Sequence, residues 1–223
     1  MNILEYGTRR QGKSTLSLAL ALTLAERAAE NDDGAPIRVI VWDPNDQFKM
    51  IERISIDELP AWLEETRNGE NWSYHIARIG PLDTAQIKPT FEIFTACLDD
   101  ERCISVIVDE AHQLQGFSWL DENLDRWNRR STASVAVIQT THRIVDAHPD
   151  SRYHADHVFF FFADLPKELK TVRENWGEEV AAAIPKLQPF QVLHWHREKG
   201  GLKFWNVWPD GKRWFIDLGN ENT

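Results

Sequence analysis

The sequence predicts an α/β protein, a mainly parallel sheet flanked by helices and followed by a β-rich C-terminal extension. Three observations predict it. Short apolar runs of strand length alternate with stretches of helix length, the order that builds a parallel sheet through right-handed crossovers. Residues 7–14, Gly-Thr-Arg-Arg-Gln-Gly-Lys-Ser, fit G-x-x-x-x-G-K-[ST] at every fixed position, between the first such strand and the first such helix. The continuous apolar run Cys103 to Val108, the pattern of a strand buried on both faces, ends in Asp109-Glu110.

In chain order, Ile3 to Tyr6 reads as a short buried strand and Gly7 to Gly12 as a turn. Lys13 to Ala29 reads as a helix. Its leucines at 16, 18, 20, 22 and 24 lie among alanines and cover most of its circumference, as on a helix packed against a sheet and its neighbours. Asn31 to Gly34 is a loop, and Ile37 to Trp42 a second strand ending at Asp43-Pro44-Asn45. Ile56 to Thr66 is expected to be helical, with Ser55 or Asp57 as N-cap. Trp72 to Ile79 and Cys103 to Val108 are strands, with a helix over Thr90 to Cys97 between them. Trp119 to Arg130 forms an amphipathic helix and Ser134 to Gln139 a strand; Thr140 to Asp156 is a long polar segment. His157 to Phe162 is strand and Pro166 to Arg173 helix. Gln191 to Trp195 and Leu202 to Val207 form a closing hairpin around Lys199-Gly200-Gly201. With no repeat, low-complexity tract or linker, residues 1–223 are expected to form one domain, a core over 1–165 and an extension over 166–223.

A chain of 223 residues buries a sizeable core without disulfides, and Cys97 and Cys103 read as reduced thiols. Met1 leads straight into a strand with no basic n-region, and no stretch approaches a membrane span; a soluble intracellular protein is expected. The net charge of −10 argues against a simple basic DNA-coating protein, but leaves room for a local basic loop or a shared pore. Five of the ten tryptophans lie beyond residue 175, so the tail is expected to be folded and packed.

The chemistry sits at the two motifs. Gly7, Thr8, Arg9, Arg10, Gln11, Gly12, Lys13, Ser14 and Thr15 are the candidate nucleotide-binding residues. The glycines let backbone N–H groups curl inward, and the helix N-terminus adds positive potential. Lys13 is expected to reach the β- and γ-phosphates of ATP, and Ser14 to place its hydroxyl on Mg²⁺. Asp109 is expected to hold that metal and Glu110 to polarise the attacking water. His112 reads as a helix-start residue.

Beyond these motifs the chain resembles the FtsK–HerA superfamily of RecA-like DNA-pumping ATPases, and within it the small genome-packaging ATPases of tailless, membrane-containing viruses. The resemblance rests on Asp43-Pro44 after the second strand, on Thr140-Thr141-His142-Arg143 after Ser134 to Gln139, and on Arg129-Arg130 ahead of that strand. It covers roughly residues 1–165. It implies a homo-oligomeric ring, a hexamer or pentamer, that hydrolyses ATP to move double-stranded DNA into a capsid. Such a motor works in the host cytoplasm or at a virion vertex, docked on a capsid vertex protein. It also implies a sensor at His142, in place of the family's glutamine, with Gln139 the second candidate. A trans-acting arginine finger is implied at Arg130 first, then Arg129, with Arg143 as contender. Ile144 stands where the family has proline. The alternatives are a phage assembly or secretion ATPase related to zonula occludens toxin, which would be expected to carry a membrane segment, and a P-loop small-molecule kinase. The segment Arg143 to Arg152 is too sparse in arginine for a kinase lid.

Other constellations read as structural. His194 and His196 face one side of a strand but have no third ligand at zinc-like spacing. Phe159 to Phe162 reads as a buried strand. Gln113 to Trp119 reads as a surface loop, with a pore loop carrying Phe117 or Trp119 as the alternative.

Overall fold

The computed structural model describes residues 1–8, 11–116, 118–129, 135–197, 202–207 and 213–216, the last two segments beyond Leu202 as backbone. The chain order is β1 (Asn2–Tyr6), α1 (Lys13–Glu30), β2 (Ile37–Trp42), β3 (Glu52–Ile54), α2 (Leu59–Arg67), β4 (Tyr74–Ile79), α3 (Thr84–Leu98) and β5 (Ile104–Val108). A small hairpin follows, β6 (Gln115–Gly116) and β7 (Trp119–Leu120), then α4 (Glu122–Arg129), β8 (Val135–Thr141), α5 (Pro149–His154) and β9 (His157–Phe160). The C-terminal part adds α6 (Pro166–Trp176), α7 (Glu178–Ala183), β10 (Gln191–His196), β11 (Leu202–Val207) and β12 (Arg213–Ile216).

Among the described residues, one sheet of ten strands runs in the order β12-β11-β10-β9-β1-β8-β5-β2-β4-β3. Strands β9 to β3 in that order pair in parallel, and β10, β11 and β12 extend the sheet as an antiparallel meander. The strand that feeds the phosphate loop (β1) and the strand that ends in the acid pair (β5) flank β8. Their C-terminal ends share one edge of the sheet, where open α/β sheets bind ligands.

Alternation along the strands divides the core. Ile3, Val39, Val41, Ile107 and Ile138 face α1 and pack on Leu16, Leu20, Ala21 and Ala25. Ile40, Trp42, Val106, Val108 and Val137 face the other way, onto Phe91, Phe94 and Trp127. On that same side Leu4, Tyr6, Phe160 and Leu193 meet Val172, Val180 and Ile184 of the C-terminal helical region. Trp176 packs edge-on to Phe160 with ring centroids 5.2 Å apart, so this part of the tail closes on the core, while the side chains of Trp205, Trp208 and Trp214 lie outside what the structure describes.

Several elements depart from expectation. Helix α3 begins at Thr84, well before Pro89, because Gln86 Oε1 closes the start by accepting from Asp83 N at 3.1 Å. Helix α2 begins after a turn in which Ser55 and Glu58 exchange side chain–backbone bonds. Trp119 belongs to the small hairpin, and α4 starts three residues later. The polar segment 140–156 holds the end of β8, a 3₁₀ turn at Ile144–Asp146 and α5, because Ile144, Val145 and Ala147 reach the core. Strands β3 and β12 and helix α7 are further elements that the sequence reading did not place. Arg9, Arg10, Phe117, Arg130, Ser134 and the Lys199–Gly201 turn lie outside the described residues.

Candidate active site

The phosphate loop is positioned by close passage. Gly7 runs so near Phe161 that a Cβ on it would stand 2.4 Å from Phe161 Cβ, so only glycine fits. Gly7 N donates to Thr141 O at 3.3 Å and Thr8 N to Phe162 O at 3.4 Å, which straps the loop to the ends of its neighbours. Gly12, in the left-handed region at φ 96°, is the N-cap of α1 and turns the chain into the helix.

Lys13 Nζ donates to Gly7 O (2.7 Å) and Thr8 O (2.8 Å) and lies 3.0 Å from His142 Nδ1. An ammonium has no lone pair, so His142 Nδ1 accepts and Nε2 carries the ring proton. That Nε2 contacts Glu110 Oε1. A chain of contacts thus runs from the phosphate-binding lysine through His142 to the candidate base. His112 Nδ1 lies 3.1 Å from the other oxygen of Glu110.

Glu110 adopts a left-handed conformation at φ 53°, unusual for a residue with a Cβ, and strain of this kind clusters at functional sites. Thr140 secures it. Glu110 N donates to Thr140 Oγ1 at 3.1 Å, and Thr140 Oγ1 donates to Asp109 Oδ1 at 2.6 Å. One hydroxyl therefore fixes both acids of the pair.

The two acids differ in electrostatics. Burial dominates at Asp109 and, with Glu110 and Asp43 nearby, outweighs the Thr140 hydrogen bond and Lys13; its carboxyl is pushed up to about 6. Burial opposes ionisation of Glu110 too, but His142, His112 and Lys13 together overcome it and hold that carboxyl below its usual range. Glu110 is thus kept ionised, as a base must be. Asp109 Oδ2 is buried without a hydrogen-bond partner among the described residues. A divalent cation would supply that partner and restore the charge. With the Ser14 hydroxyl in the same cleft, the donors are hard oxygens, which fits Mg²⁺.

The cleft encloses about 630 Å³ between Gly12, Lys13, Ser14 and Thr15 on one wall and Asp109, Glu110 and His142 on another. Asn45 and Gln47 line it beyond β2, and Phe190 enters from the C-terminal part. The loop carrying Asn45 is held by Asp43, whose carboxylate accepts from Gln47 N (2.7 Å) and Phe48 N (2.9 Å).

The remaining predicted residues fall elsewhere. Gln139 faces away from α1. Its Nε2 donates to Asn128 Oδ1 at 2.5 Å, in a buried amide network with Gln115, so of the two sensor candidates His142 alone enters the cleft. Arg129 sits at the end of α4, where Asn128 O accepts from Asn2 Nδ2, at the opposite edge of the sheet from the phosphate loop. It pairs with Asp125 at 2.9 Å and lies near Asp150 at 3.6 Å, and it is not among the described residues that line the cleft. Arg143 is paired with Glu168 of α6 at 3.3 Å. His157, from β9, stacks on His194 with Nδ1 2.9 Å from its Nε2; among the described residues no group of three or more His, Cys, Asp or Glu is arranged to hold a metal. Sequence reasoning missed Thr140 and Phe190. Thr140 was legible as the polar residue of β8 in step with Asp109, whereas Phe190 carries no motif.

Fold and cleft together define a P-loop NTPase architecture. Among solved structures, the chain is similar to the genome packaging NTPase B204 of Sulfolobus turreted icosahedral virus 2. Against its complex with ATP-γS the TM-score is 0.64 at 17% identity, covering 91% of this chain and 95% of that one. Against its sulfate complex the TM-score is 0.66 at 14% identity, covering 91% and 94%. B204 of Sulfolobus turreted icosahedral virus, a DNA-packaging ATPase, matches with TM-score 0.62 at 15% identity, covering 91% and 95%. At these identities the likeness is one of fold, and it extends beyond residues 1–165 into the C-terminal part. No protein-family model matches the chain, and no curated protein matches its sequence.

Proposed function

We propose that the chain is a Mg²⁺-dependent ATPase that works as a homo-oligomeric ring to move double-stranded DNA into a viral capsid. The observation that carries the hydrolytic part is Glu110. It is ionised, turned into the cleft by a left-handed backbone, and linked through His142 to the lysine that binds phosphate. That is the arrangement of a base for water rather than of a passive binding site.

In this reading a triphosphate draws Lys13 Nζ from the Gly7 and Thr8 carbonyls. Ser14 and Asp109 would hold Mg²⁺, which would offset charge on the phosphate oxygens. Glu110 accepts the proton of the attacking water, and His142 fixes its carboxylate. An arginine of a neighbouring subunit, Arg130 first and Arg129 second, completes the site. The position of Arg129 on the edge away from its own cleft suits a residue that acts in trans. Fold likeness to a packaging NTPase supports the packaging role; a capsid vertex protein is the proposed docking partner. No helix among the described residues is long and apolar enough to cross a membrane.

The test is steady-state ATP turnover with and without double-stranded DNA. DNA-stimulated turnover is expected to fall about 10²–10⁴-fold in Glu110→Gln. It should also be poisoned by small fractions of Arg130→Ala mixed into wild type. Turnover indifferent to DNA and to mixing would leave an ATPase but remove the ring translocase in favour of an assembly ATPase or kinase.

A further inference from the structure

We infer that Phe190, contributed by the C-terminal part of the chain, is the platform on which the base of the bound nucleotide stacks. The inference deepens the nucleotide-site reading above and rests on it.

Topology places Phe190 at the right edge. Strand β10 runs antiparallel to β9, with Leu193 opposite Phe160 and His196 opposite His157. The start of β10 therefore lies level with the C-terminal ends of the parallel strands, and the residue just before it reaches the phosphate-loop edge. Along that edge, His142 (after β8) and Asp109-Glu110 (after β5) lie to one side of the loop that follows β1, while β9 and β10 lie to the other. A triphosphate whose γ end meets Glu110 and His142 has its remaining length over Gly12 to Thr15. Its base then points toward the β10 side, where Phe190 lines the same cleft.

The residue itself behaves as a platform rather than as core. Phe190 is a half-buried aromatic that belongs to none of the three apolar clusters, although Leu187 and Val192 on either side of it are core residues. Its backbone is left-handed at φ 64°, a conformation a bulky side chain seldom takes and one that recurs at ligand clamps. The turn that imposes it is closed twice. Gln191 N donates to Gln188 O at 2.9 Å, and Gln188 N donates to Gln191 Oε1 at 3.0 Å. A strained backbone thus holds an aromatic side chain on a cleft wall, and among the described residues no apolar cluster includes it. A nucleobase offers the flat π-face that such a ring takes up.

Calorimetric binding of two ligands to the full chain, with Mg²⁺ present, tests this. Mg·ATPγS carries a base, and inorganic tripolyphosphate carries phosphates alone. Phe190→Ala, and Phe190→Leu as a variant that keeps apolar bulk, are expected to weaken ATPγS about tenfold or more. Both should leave tripolyphosphate within about twofold of wild type, and Phe190→Trp should retain ATPγS binding. Wild-type affinity for ATPγS in the alanine and leucine variants overturns the inference while leaving the nucleotide site intact. Equal loss of both ligands overturns it as well, since the residue would then serve the fold of the cleft. Wild type that binds neither ligand overturns the nucleotide site and the inference with it.

Discussion

Glu168 tests whether the C-terminal helices hold the active-site edge together. It is 1% exposed on α6, and its two oxygens reach two different strand ends. The Tyr6 hydroxyl, on the residue before Gly7, donates to Oε2, and Arg143 Nε, on the residue after His142, lies 3.3 Å from Oε1. Burial and then the Glu168 hydrogen bond push the Tyr6 phenol far upward, so it stays a permanent donor. Glu168→Ala leaves that fully buried hydroxyl without a partner, at about 1–3 kcal/mol. The Arg143 pair adds at most about 1 kcal/mol, because the arginine side chain is 51% exposed and screened. The total, about 1–4 kcal/mol, corresponds to a fall in melting temperature of roughly 2–15 °C for a chain of this size. Urea unfolding of Glu168→Ala, Tyr6→Phe and the double variant measures the coupling directly. A coupling of about 1 kcal/mol or more is expected, with the cost of Glu168→Ala much reduced once the hydroxyl is gone. Costs that add within about 0.5 kcal/mol would refute the linkage.

Three further outcomes follow from the geometry. Glu5 is fully buried on β1, accepts from Ser17 Oγ at 2.9 Å, and is driven well above the usual carboxylate range by burial, against the opposing pull of Ser17 and Lys13. A raised folded value means that folding takes up a proton. Its contribution is therefore full below the unfolded carboxylate range and lost as pH rises toward the folded value. Glu5→Gln should gain in urea midpoint over wild type between pH 5 and pH 8, and a constant offset across that range would contradict the assignment. Thr140→Val removes the hydroxyl that holds both Asp109 and Glu110; turnover should fall at least about tenfold and stability by about 1–2 kcal/mol, with recovery in Thr140→Ser. His142→Ala should lower kcat at least about tenfold with little change in ATP affinity, whereas His142→Gln, which also offers an acceptor and a donor, should keep more of it.

The parts of this site legible in the sequence are those fixed by local chemistry. Gly7, Gly12, Lys13 and Ser14 carry a motif because loop and helix start lie in one short segment, and Asp109-Glu110 ends a strand whose apolar run announces its burial. Pairings across the sheet were harder to read. Gln139 and His142 are three residues apart at the end of one strand, and only the direction of each side chain separates a buried amide from a cleft residue. The sequence places the start of helix α3 at Thr90, but the closure that starts it, between Asp83 and Gln86, lies upstream of Pro89, and the helix begins at Thr84. The histidine pair His194 and His196 was correctly placed on one face, but its neighbour His157 comes from β9, a contact no spacing encodes.

The C-terminal part illustrates why a motif-bearing core is an incomplete account of this cleft. Residues 166–223 hold no signature, yet their first helix supplies the carboxylate under Tyr6 and Arg143, and the turn before β10 supplies Phe190. Both follow from strand direction. Because β10 returns antiparallel along β9, the chain must come back to the phosphate-loop edge before it enters the strand, and α6, α7 and the turn before β10 are the path it takes. That path also covers Leu4, Tyr6 and Phe160, which would otherwise stand on an open sheet face beside the loop. Packing that the core requires for stability therefore delivers side chains to the site. A substitution in 166–190 that loosens this cover should be felt at Gly7 and His142 before it is felt at Asp109, whose strand end is held by Thr140 and lies farther along the sheet.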